Sequence, residues 1–111
     1  MIAALLGAGA RVDARNASGA TPLHDAALAG HSAAVETLIS KGAAVDARDS
    51  SGATPLFHAA SWGRIEAIRV LLARGAGVDA RNKAGHTPLR AAKENGHAEA
   101  AELLRAHGGR E

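Results

Sequence analysis

The chain has 111 residues, 47% of them hydrophobic but only 2% aromatic, and its 13 Lys and Arg against 11 Asp and Glu leave a net charge of +2. That length admits one core and not two, and so small an imbalance of charge gives no argument for nucleic acid. Zero cysteines exclude a disulfide framework and any thiolate zinc site, and suit a reducing compartment, so the cytoplasm is the expected location.

Residues 1 to 10 form an apolar run that resembles a short signal sequence but lacks a basic start. Repeat register explains it better: Ile2, Leu5, Gly9, Val12 and Asp13 fall under Val35, Leu38, Gly42, Val45 and Asp46 at a shift of 33 residues. The chain is thus expected to start inside a repeat, with 1–15 a partial unit carrying only a second helix. Ile2, Leu5 and Leu6 on that helix are candidates for self-association.

The first full unit, 16–48, begins with a turn ending at Gly19. Thr21 is placed to cap a helix whose first position is Pro22, a residue that gives up an N–H lacking a partner there anyway. This spacing predicts a helix over 22–29, a turn at Gly30 and a second helix over 32–41 with Val35, Leu38 and Ile39 on one face. The same pattern returns 33 residues on at Thr54-Pro55-Leu56 and again at Thr87-Pro88-Leu89. Unit 49–81 is therefore expected to carry helices over 55–62 and 65–74, and unit 82–111 helices over 88–95 and 98–107. Lys93, Glu94, Asn95 and Arg105 replace Ala27, Leu28, Ala29 and Ile39 in the last unit, as suits a C-terminal cap whose outer face meets water.

The run Gly19-Ala20-Thr21-Pro22-Leu23-His24, followed by Ala26-Ala27 and Gly30-His31, resembles the ankyrin repeat over essentially the whole chain. The resemblance implies an all-α, helix-turn-helix solenoid with projecting β-hairpin-like loops, working in protein recognition without chemistry of its own. It also implies that His24 bonds backbone near the loops. Phe57 and Arg90 stand at the equivalent positions, so that network is expected to be incomplete further along.

No enzyme is expected. Ser61 with His58 and Asp25 is the only tempting triad, and no nucleophile-elbow pattern surrounds Ser61. Asp25 and His58 occupy the same position of consecutive first helices and are expected to meet as a polar pair. The six histidines include no pair at helical ligand spacing, so neither a metal nor a cofactor is expected. Arg15, Arg48 and Arg81 recur as a ladder, with Asp13, Asp46 and Asp79 two residues earlier expected to neutralise it. What remains is a partner-binding surface on the loop tips and first helices, with Asp25, Leu28, His58, Ser61, Trp62, Lys83 and His86 as its candidate residues. Trp62 either anchors a partner together with Leu28 or packs over the adjacent turn.

Overall fold

The structure, a computed structural model, describes residues 14–111. Six helices follow one another: α1 Pro22–Ala29, α2 Ser32–Ser40, α3 Pro55–Ser61, α4 Ile65–Ala73, α5 Pro88–Glu94 and α6 Ala98–Ala106. No strand occurs among the described residues. Five of the six end one residue earlier than the periodicity predicts, because the last residue of each expected span serves as the cap.

Each odd-numbered helix starts the same way. The hydroxyls of Thr21, Thr54 and Thr87 accept from the backbone N–H three residues on, at 3.4, 3.2 and 3.2 Å, with proline next in sequence. Gly63 shows how the first helix of a pair gives way to the second. Its φ of +66° lets the chain reverse at the end of α3, and the following Arg64 N–H returns to the Ala59 carbonyl at 2.8 Å.

The helices stack in two rows, α1 on α3 on α5 and α2 on α4 on α6, with each odd helix packed against its even successor. Leu23, Leu38, Leu56, Ile68, Leu71 and Leu104 are fully buried between the rows. Ala26, Ala27, Ala59, Ala60 and Ala92 are buried beside them, and such small side chains let neighbouring backbones approach closely. The core is therefore a continuous slab passing through all three helix pairs, built without a tryptophan or tyrosine. Among the described residues no helix is long and apolar enough to cross a membrane.

Between helix pairs the chain projects as tight turns closed by backbone bonds. Asn16 N–H reaches Ala20 O, Asp49 N–H reaches Ala53 O and Asn82 N–H reaches His86 O, each at 3.0 Å. The tips are joined to each other: Ser50 N–H donates to Ser18 O at 3.0 Å and Lys83 N–H to Ser51 O at 2.9 Å. Ile2, Leu5 and Leu6, with the rest of the partial unit up to Asp13, lie outside the described residues.

Arg15 and Arg48 form a ladder whose direct bonds go to backbone carbonyls. Arg15 Nη1 donates to Gly19 O and, across to the next turn, to Arg48 O at 2.6 Å; Arg48 Nη1 repeats this on Gly52 O and Arg81 O at 3.0 and 2.5 Å. Asp46 accepts from the Gly77 N–H at 3.0 Å and Asp79 from the Arg110 N–H at 2.7 Å. Both sets of charges stitch the backbone of one turn to the next, because a fork of guanidinium donors satisfies carbonyls that the strandless turns leave over.

Candidate functional site

The candidate residues occupy the face made by the first-helix row and the turn tips. Asp25 is exposed on α1, beside Arg15 and Asn16 at the rim of a shallow depression. His58 lies on α3, half-buried, and Ser61 is the last residue of that helix. Trp62 is its C-cap and is 55% exposed, the one large hydrophobic side chain among the described residues to stand in solvent. Lys83 and His86 sit on the last turn, the first exposed and the second half-buried.

The expected pairing of Asp25 with His58 does not form. His58 Nε2 instead donates to Asp49 Oδ2 at 2.8 Å, and the carboxylate is nearly buried, with 8% of its side chain exposed. A shift of one repeat establishes that two residues are equivalent, but it does not set the distance between them; the closer acceptor is the turn leading into the same helix. Asp49 Oδ1 meanwhile accepts from Ser51 N–H, Ser51 hydroxyl and Ala53 N–H. Asn16 and Asn82 make the matching turn bonds through their own Oδ1 atoms. Only the middle turn carries a carboxylate, and only the helix after it carries a histidine at this position. That coincidence was the available signal for the pair.

Burial opposes ionisation of Asp49, yet the bonds from His58, Ser51 and Ala53 outweigh it and hold the carboxyl down to about 2. His24 is shifted for the opposite reason: burial lowers its pKa, the Ala53 carbonyl acts against that, and neighbouring His58 lowers it further. Its ring is fully fixed. Nε2 lies 2.8 Å from Ala53 O and must donate there, so Nδ1 accepts from the Thr21 N–H at 3.0 Å. The backbone-bonded histidine implied by the repeat resemblance is thus present in α1, and Phe57 and Arg90 do not reproduce it.

These shifts set an acid profile. An unfolded Asp ionises near 3.8, so Asp49 contributes stability above that pH which is lost as pH falls towards about 2, on the order of 2 kcal/mol in all. His24 binds its proton more readily unfolded, so its protonation erodes stability as pH drops below 6.5. Asp49→Asn keeps the turn, as Asn16 and Asn82 show, and removes the carboxylate. The stability gap between wild type and Asp49→Asn should therefore close between about pH 4 and pH 2 in thermal melts; a gap that stays constant over that interval would contradict the assignment.

Ser61 is tied to the following helix pair. Its Oγ and its carbonyl oxygen both accept from Asn95 Nδ2, at 2.9 Å each. A shallow depression beside it is lined by Ser61, Trp62, Asn95 and His97. Leu28 is not part of this lining. It is half-buried on α1, where its carbonyl accepts from Arg64 Nε at 2.8 Å and the Arg64 side chain lies over Gly30. The depression at Trp62 is thus bordered by Asn95 at the end of α5 and His97 in the turn beyond it. Asn95 was legible as a position on the outer face of the last unit, but neither it nor the half-buried His97 was legible as a neighbour of Trp62, since that proximity comes from stacking.

Among the described residues no group of three His, Asp or Glu side chains gathers as a metal site. The depressions named above are open and shallow. A family model for ankyrin repeats, in three copies, matches residues 1–82, and α5 and α6 continue the same stack beyond the match. Comparison with curated proteins finds no match.

Proposed function

The chain belongs to the ankyrin repeat family, whose members are generally protein–protein interaction modules and typically not enzymes, and on that premise we propose that it binds a protein partner across the turn tips and the first-helix row. The exposure of Trp62, at 55%, carries this reading. A solvated indole is an unusual outlay for a chain that builds its core from Leu, Ile, Val and Ala, and tryptophan is enriched among interface hot spots. Around it Ser61, Asn95 and His97 supply a polar rim, while Asp25 and Lys83 place opposite charges at the two ends of the face. His58 and Leu28 contribute mainly shape, being half-buried and engaged below the surface. The division into 1–15, 16–48, 49–81 and 82–111 is part of the same reading, and a reducing compartment such as the cytoplasm fits a chain with no cysteine. Fold alone does not name the partner.

Affinity capture followed by titration of the captured protein tests this. Trp62→Ala should weaken binding by at least about 30-fold, equivalent to about 2 kcal/mol. Arg69→Ala, exposed on α4 in the other helix row, should leave it unchanged. Equal losses in both variants, or none in Trp62→Ala, would refute the assignment of the face.

A further inference from the structure

Asn95 caps the C-terminal end of α5 and is followed by Gly96, the one Asn–Gly pair in the sequence. Its amide does a job that different residues do elsewhere in the stack. Between α1 and α3, His24 reaches Ala53 O and Arg64 reaches Leu28 O, both at 2.8 Å. Between α3 and α5, Asn95 Nδ2 reaches the carbonyl and hydroxyl oxygens of Ser61 at 2.9 Å. One amide group thus fastens the last helix pair to the residue next to Trp62.

The same amide sits in a reactive setting. Asn95 is exposed, and Gly96 has no side chain to crowd its own nitrogen, with open space within 4 Å of where a Cβ would stand. The Gly96 N–H is held by a single bond, to Lys93 O at 3.1 Å, at the end of a seven-residue helix, where local opening is easiest. Asn16 and Asn82 differ in which atom of the amide is held and in the residue that follows. Their Oδ1 atoms accept from backbone amides of their own turns, and their successors Ala17 and Lys83 carry side chains that crowd the attacking nitrogen.

We infer that Asn95 is a spontaneous deamidation site, and that its conversion to a carboxylate releases α5 from Ser61 beside Trp62. The Gly96 nitrogen loses its proton to solvent base and bonds to Cγ of Asn95; the Cγ–Nδ2 bond breaks and ammonia departs with a solvent proton, leaving a cyclic imide. Water adds to either imide carbonyl and the ring opens to aspartate or isoaspartate. One water is consumed for each ammonia released, with no change of oxidation state. The product carboxylate has no proton to donate. The Ser61 hydroxyl can turn to meet it, but the Ser61 carbonyl cannot, so a hydrogen bond is replaced there by two facing acceptors.

Incubation of the full chain at mildly alkaline pH, followed by peptide mapping that separates aspartate from isoaspartate, tests the site. Asn95 should lose its amide several-fold faster than Asn16 and Asn82; loss at Asn95 no faster than at those two overturns the proposal. The purified deamidated chain and the Asn95→Asp variant should both show faster amide exchange across residues 59–63 and a shifted Trp62 emission. Exchange and emission unchanged from wild type in both would overturn the release of Ser61.

Discussion

His24→Ala should lower the stability of the chain by about 3 kcal/mol, read as a fall in urea midpoint with an unchanged slope. His24 is 1% exposed and holds two other buried groups in place. Without the ring the Thr21 N–H, also buried, keeps no acceptor, because Nδ1 is its partner at 3.0 Å. An orphaned buried donor costs about 1–3 kcal/mol, and the space left by a buried ring adds a packing loss. The Ala53 carbonyl suffers less, since Asp49 N–H continues to donate to it. The sequence carries its own control: Phe57 occupies the equivalent place in the next pair. His24→Phe should accordingly recover the packing part of the loss and leave the Thr21 N–H unpaired, falling between wild type and His24→Ala. A His24→Ala variant within about 0.5 kcal/mol of wild type, the range typical of inert surface changes, would contradict this account of the turn.

Gly52→Val should cost about as much, by a different route. Gly52 has a φ of +79°, a conformation in which a β-branched residue is an outlier. A Cβ there would also stand 2.9 Å from Lys83 N and 3.0 Å from Lys83 Cγ, the very place where one turn tip meets the next. Gly85 separates the two effects. Its φ is +82°, yet a Cβ meets nothing within 4 Å, so Gly85→Val bears the backbone strain alone, about 1–2 kcal/mol. Gly52→Val should exceed it by a further kcal/mol or more, since backbone, unlike a side-chain end, cannot swing aside. The extra loss should appear as faster amide exchange in α5 and α6, because the Lys83 to Ser51 bond is part of what fastens them. Equal costs at Gly52 and Gly85 would mean that contact between tips contributes nothing.

The bounds of the described helices could be read from the sequence almost to the residue. Thr21, Thr54 and Thr87 cap helices where their spacing placed them, because capping and the proline that follows are local effects that depend on a few adjacent residues. The core was equally legible, as Val35, Leu38, Ile68 and Leu71 follow helical spacing and are fully buried. The polar contacts were not. Side-chain reach and rotamer decide whether His58 turns to Asp25 on the neighbouring helix or to Asp49 in its own turn, and a repeat shift is blind to both. The arginine ladder shows the same limit: Arg15 and Arg48 each donate to a carbonyl of their own turn and to one of the next, and the second comes within reach only by stacking. Trp62 was singled out correctly as solvent-facing, but its setting was not, since Asn95 and His97 come from the following helix pair.

Amide hydrogen exchange on the complex with the captured partner tests the central claim most directly. Binding across the turn tips and first-helix row predicts protection at residues 58–62 and 83–86, with α2 and α4 exchanging as in the free chain. Protection confined to α2 and α4, with Trp62 and its neighbours unaffected, would contradict it.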